Sequence, residues 1–377
     1  MMGRIAHSPT LTPCRLPVLP VISKYDHYLG TSRFPSLDGL RCLAVLPVVW
    51  HHATPAPPSG LLGRGPLGVD LFFAISGFLI TTLLLRERRA HGAVSVGRFY
   101  ARRALRIFPA YYVVLGLTAL RWLGMPASAT RDHFLHNLPY WATYTSNWFV
   151  DFAPGHPVVF AFAWSLATEE QFYAVWPWLA KAPRWLMPVA ALLLLAADQS
   201  VEVGVLGASW PELARRIVAS IASPICMGAL LACALDDELG FTRLRHLLGW
   251  RVSAPAALVV LAAVVVDGRV PLVLVQLAMT LLVGACVVRA DHGLRGLLEL
   301  RPVRFVGTIS YALYLVHVAA ITAVKLLAHA LAPSLADNAP FVFVTGGLAL
   351  AVPLAYALHR FVDVPLQPLR ARLRAAP

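Results

Sequence analysis

Charged side chains are scarce in this chain. Of its 377 residues only 14% are Asp, Glu, Lys or Arg, against roughly 25% in soluble domains, and that shortage excludes an ordinary soluble fold. Acidic residues are the rarer sign, 19 against 32 Lys and Arg, for a formal net charge of +13. Cysteine is nearly absent: Cys14, Cys42, Cys226, Cys233 and Cys286 show no metal-binding spacing, so they read as small apolar residues rather than as a disulfide framework. No internal repeat and no separate basic module occurs, which argues against a solenoid and against nucleic acid as a partner. Residues 1–34 hold Pro9, Pro13, Pro17 and Pro20 and no uninterrupted apolar run. They are poor signal-peptide material and are expected to be a flexible cytoplasmic arm.

What is abundant is apolar sequence, 58% of the chain. Apolar windows of near-spanning length recur at about 40–56, 67–86, 104–123, 160–180, 184–199, 212–234, 250–267, 271–289, 304–331 and 340–362. The expected fold class is therefore all-α, a polytopic integral membrane bundle of about ten transmembrane helices. Its transmembrane domain would occupy 35–366, followed by a basic cytoplasmic tail at 367–377. With the N-terminus in the cytoplasm, 25 of the 32 Lys and Arg fall on the cytoplasmic side, six on the other, and Lys325 lies within a window. The positive-inside rule selects that orientation, with both termini cytoplasmic in the cell membrane.

Polar residues inside such windows are costly and usually functional. Arg41 and His52 stand eleven residues apart in LDGLRCLAVLPVVWHH. At about 100° per residue they return to within roughly 20° of one another, about 16 Å apart along one helix face, whereas His51 points about 100° away. In GVDLFFAISGFLI, Asp70 lies near the outer end and is a plausible partner for His52, while Ser76 and Gly77 permit close helix contact. RFYARRALRIFP places Arg103 and Arg106 three residues apart on one face at the membrane surface, a clamp for phosphates or a head-group contact. In FAWSLATEEQFY, Ser165 and Glu169 share a face and Glu170 turns away. Glu169, beside Trp164, Phe172 and Tyr173, suits an orienting or acid/base role.

ISYALYLVH aligns Ser310 with His317 and adds Tyr311 and Tyr314, an interfacial belt or a substrate-contacting face. Lys325 is free to snorkel. Tyr140, Trp141, Tyr144, Trp148, Phe149 and Phe152 cluster on the outer side, as a girdle or as a stacking platform for a sugar ring.

Together these five blocks resemble the integral-membrane acyltransferase-3 family, in the expected order across roughly residues 36 to 365. The resemblance implies about ten helices and transfer of an acetyl or other short acyl group from acyl-coenzyme A, the co-substrate, to a hydroxyl of a carbohydrate, surface glycan or macrolide. No permanently bound cofactor or metal is implied. It maps the family's first-helix Arg and His onto Arg41 and His52, its helix-three arginines onto Arg103 and Arg106, and its fourth-helix Glu onto Glu169. His52 would serve as general base or as acyl-carrying nucleophile, its ring held by Asp70 or Glu169, with Arg41 steadying the donor. Tyr311, His317 and Trp164 are the expected substrate contacts.

One position departs from the family. HRFVDVP has Asp363 where the family usually has Glu shortly before Pro, a reach one methylene shorter. Without an appended extracytoplasmic hydrolase-like domain, the membrane unit is expected to complete the reaction itself. The competing class is a transporter or flippase of a lipid-linked glycan, which polar intramembrane residues would also suit. That reading expects two related halves with broken helices, and no such symmetry is visible in the sequence.

Overall fold

The computed structural model describes residues 23–54, 63–206, 210–331 and 340–375, and no strand occurs among them. A short helix α1 (Lys24–Gly30) is capped by Ser23, whose hydroxyl accepts from the Asp26 amide. The long helices that follow are α2 (Pro35–Ala53), α3 (Leu67–His91) and α4 (Val96–Leu123). Three short helices, α5 (Ala129–His136), α6 (Leu138–Ala142) and α7 (Ser146–Phe149), lead to α8 (Trp164–Lys181) and α9 (Leu186–Glu202). Next come α10 (Glu212–Ala219), α11 (Ser223–Asp236), α12 (Glu238–Leu248), α13 (Ser253–Val266) and α14 (Leu272–Val288). The chain closes with α15 (Arg295–Leu298), α16 (Arg301–Leu331), α17 (Pro340–Leu358) and α18 (Gln367–Ala375).

Four helices among the described residues are long and apolar enough to cross a membrane: α3, α4, α16 and the Pro340–Leu373 stretch that α17 begins. Two bent pairs, α10 with α11 at 44° and α12 with α13 at 73°, raise that number to six at most. Ten spans are therefore not met by length and hydropathy alone. Helices α2 and α8 carry Arg41, Glu169 and Glu170 within 19 and 18 residues, which lowers their hydropathy, and α9 and α14 stop at 17.

Within the segment expected as a free arm, residues 24–30 form α1, which packs against the bundle. Tyr28 is buried 5.3 Å from the Phe241 ring, and Arg86 donates to the carbonyls of Tyr28 and Thr31. Residues 1–22 lie outside the described residues.

Close helix contact sets the frame around the site. In lipid there is little hydrophobic drive between helices, so backbone approach through small residues carries the packing. A Cβ at Gly77 would sit 1.9 Å from the Ile225 carbonyl oxygen, and one at Gly228 would sit 2.1 Å from that of Ala74. Helices α3 and α11 thus touch backbone to backbone.

Candidate active site

A cavity of about 100 Å³ lies between α2, α3, α4, α8 and α16. Arg41, Arg103 and Arg106 line it from two helices, and Glu169, Tyr173 and Ser76 face them. The Ser76 hydroxyl donates to Glu169 Oε1 at 2.7 Å, and the Arg103 guanidinium lies 5.3 Å above the Tyr173 ring. Arg41 Nη1 is 3.5 Å from Asp38 Oδ1. Arg103 and Arg106 take no part in the ion pairs of the described residues. The cavity thus gathers three guanidiniums and the carboxylates of Glu169 and Glu170, with Arg103 and Arg106 beyond direct ion-pair distance of either.

The far wall of the cavity is built by Ser165 and Tyr314, whose hydroxyls are 2.7 Å apart and both lie within 3.1 Å of the Phe162 carbonyl. Behind Tyr314 sits His317, fully buried, with Nδ1 2.6 Å from the Tyr314 carbonyl oxygen. Its Nε2 lies 3.3 Å from His52 Nδ1, which is itself 2.9 Å from the Val48 carbonyl. Lys325 donates to the His52 carbonyl at 3.2 Å. Along α2 the polar residues thus fall at two levels, an arginine-lined cavity at Arg41 and a histidine pair about 16 Å further along.

Several expected residues meet here and others do not. Arg41, Arg103, Arg106, Glu169 and Tyr311 share the cavity, and the Tyr311 hydroxyl donates to the Ile107 carbonyl at 2.8 Å. His52 and His317 meet each other just beyond it. Asp70 does not reach His52; its hydrogen-bond partner is Gln276. Glu169 does not reach His52 either, being held by Ser76. Trp164 is 39% exposed, edge-on to Phe73 at 6.1 Å, and is absent from the cavity wall.

Sequence spacing missed Glu170, which also lines the cavity with one buried, unpartnered carboxylate oxygen. A wall formed by five helices accepts a broader helix face than two-residue alignment suggests. Asp363 sits in a π-helical turn, 2.9 Å from His359 Nδ1 and 2.7 Å from Arg370 Nη1, beside a smaller hollow shared with Arg106. Its shorter carboxylate thus bridges the His359 ring and the Arg370 guanidinium. In the outer aromatic segment Trp141 and Tyr144 are buried against α4, and Phe149 and Phe152 remain exposed. No group of three or more His, Cys, Asp or Glu among the described residues is placed to hold a metal ion.

Helices throughout the described residues, several long and apolar enough to cross a membrane, around an internal cluster of arginines, two carboxylates and paired histidines define a helical membrane protein with a polar interior. The chain belongs to the acyltransferase-3 family, whose model, described as an acyltransferase domain, matches residues 34–360. It is 28% identical over 321 residues to the peptidoglycan O-acetyltransferase OatA of Listeria monocytogenes, covering 76% of this chain and 49% of that protein. It is 29% identical over 312 residues to the candidate peptidoglycan O-acetyltransferase YrhL of Bacillus subtilis, covering 75% of this chain and 48% of the relative. A candidate O-acetyltransferase of Staphylococcus aureus is 36% identical over 159 residues, 41% of this chain and 26% of that protein. The chain therefore spans about half the length of the first two relatives. No solved structure matches it.

Proposed function

We propose that this protein is a membrane O-acyltransferase that moves an acetyl or other short acyl group from cytosolic acyl-coenzyme A to a hydroxyl of a surface glycan. Peptidoglycan is the acceptor class named for its relatives. The ten helices of 14 residues or more would cross the membrane in alternation, with both termini in the cytoplasm. The observation that carries the reading is the meeting of Arg41, Arg103 and Arg106 at one cavity.

That cavity has about 100 Å³ of room, whereas pockets that enclose a whole drug-sized ligand hold about 300–1,000 Å³. A nucleotide or a sugar ring would stay outside, and only a thin chain such as the pantetheine arm would enter. The donor's phosphates would then rest on Arg103 and Arg106 at the cytoplasmic mouth. Arg41, lining the same cavity from α2, would draw in the thioester oxygen as negative charge develops. The acyl end would travel past Tyr314 to His52, where the acceptor hydroxyl is activated or the acyl group is carried on the ring.

The test is turnover by the purified full chain. Acetyl-coenzyme A should be consumed in the presence of glycan, with one acetyl appearing on the acceptor by mass spectrometry. His52→Ala should lower that rate by roughly 100-fold or more, the range a positioned acid or base contributes, while the variant inserts and folds. Glycan translocation without thioester loss would establish the transporter class instead, and an acetylated secondary metabolite would replace the glycan as acceptor.

A further inference from the structure

We propose that His317 is the positioning residue for His52, sharing with the Val48 carbonyl the proton on Nδ1 so that the ring is held with Nε2 as the nitrogen that reacts. The inference rests on the acyl-transfer reading for its consequence, but its geometry stands apart from it.

A backbone carbonyl can only accept a hydrogen bond, so each nitrogen that touches one carries a proton. His52 Nδ1 lies 2.9 Å from the Val48 oxygen and is therefore N–H. His317 Nδ1 lies 2.6 Å from the Tyr314 oxygen and is also N–H, which leaves His317 Nε2 with a lone pair when the ring is neutral. That lone pair is 3.3 Å from His52 Nδ1, with the two rings 4.8 Å apart and crossed at 78°. The His52 proton is thus shared between Val48 and His317, and the order of protons runs one way, from His52 through His317 to the Tyr314 carbonyl. His52 Nε2 is the only ring nitrogen of the pair outside this chain of contacts.

Packing alone does not require this arrangement. A histidine filling space on α16 would be served by the bond to Tyr314, yet His317 is fully buried and its second nitrogen faces another ring. Neither expected carboxylate takes this place, since Asp70 pairs with Gln276 and Glu169 with Ser76.

The same contact serves both forms of the reaction. As general base, His52 Nε2 takes the acceptor's O–H proton, the alkoxide adds to the thioester carbon, and the C–S bond breaks. The departing thiolate takes that proton. As nucleophile, Nε2 adds to the thioester carbon and the C–S bond breaks. The thiolate leaves and is protonated from water, and the acceptor hydroxyl later displaces the neutral ring, its proton neutralising the hydroxide so formed. In each case the ring is positively charged midway, and its Nδ1–H donates more strongly to His317 Nε2.

The experiment compares His317→Leu, which removes the acceptor, with His317→Gln, whose amide oxygen accepts from His52 while its NH₂ donates to Tyr314. In full-length protein with acetyl-coenzyme A, the Leu variant should lose roughly 100-fold in kcat with donor KM within about twofold, and Gln should recover most of the loss. A Leu variant with wild-type turnover, or a folded Gln variant as slow as Leu, overturns the proposal. Nitrogen-15 spectra of the histidine-labelled chain give a readout that needs no activity. His52 should stay in the Nδ1–H form throughout, with an Nδ1 shift in wild type and Gln that reports the second acceptor and is lost in Leu, where Val48 alone holds the proton; an unchanged Leu spectrum overturns the assignment. Inactive wild-type protein with the expected spectra would count against the acyl-transfer reading and not against the pairing.

Discussion

Arg103 and Arg106 border the cavity without a carboxylate within ion-pair reach among the described residues, in a bundle where an unpaired charge is expensive. An anionic ligand relieves that expense, so removing either guanidinium should weaken donor binding more than it slows chemistry. A hydrogen bond to a charged group is worth about 1.5–3 kcal/mol, so Arg103→Ala or Arg106→Ala should raise Kd for acyl-coenzyme A by roughly 10- to 150-fold. Calorimetry with a non-hydrolysable donor analogue measures this, and an unchanged Kd would reduce both to topological charges. That Arg103 and Arg106 would face one hollow was legible from residue type and three-residue spacing. Spacing says which face a side chain occupies but not which helix faces it. Hence Asp70 was read towards His52 and lies against Gln276, while Glu170 was read away and lines the cavity.

Helix boundaries were legible where composition alone decides them and not where one residue overrides an apolar run. The window at 212–234 reads as one span, yet the chain bends between α10 and α11, where Pro224 sits in the first turn of the new helix. Proline has no amide to donate, which makes it a natural start of a helix and a poor continuation. The window at 184–199 runs on through Asp198 to Glu202, because Asp198 accepts from both the amide and the hydroxyl of Ser223. The Gly77–Gly228 crossing was anticipated as close contact at Ser76 and Gly77, and its tightness allows a sharp contrast. Gly77→Val would drive side-chain atoms into the Ile225 carbonyl and should lower the thermal unfolding midpoint and the folded yield in detergent. Gly116→Ala on α4, with nothing within 4 Å of the added carbon, should be neutral or stabilise by about 0.5–1 kcal/mol. Equal loss in both variants would mean that the crossing is not the element holding α3 to α11.

At the scale of the molecule, the asymmetry of Lys and Arg is the argument for orientation, and orientation decides whether the arginine cavity meets the cytosol at all. The sequence carries that argument because topogenic charge is a matter of composition, and labelling decides it; the number of spans depends instead on how bent and short helices are completed by their neighbours. If both termini are cytoplasmic, the α5–α7 segment faces outward and α12 faces inward. In a cysteine-free background, Asp151→Cys, at an exposed position, should react with a membrane-impermeant maleimide in intact cells. Arg243→Cys, exposed on α12, should react only after permeabilisation. The consequence extends to the chemistry. In proteoliposomes with one orientation, acetyl-coenzyme A should support turnover only from the side where Arg243→Cys is labelled, because Arg103 and Arg106 follow the cytoplasmic end of α3 and its arginines Arg86, Arg88 and Arg89. A reversed labelling pattern would put the guanidinium pair at the outer surface. The donor reading would then fail even with every residue of the cavity in place.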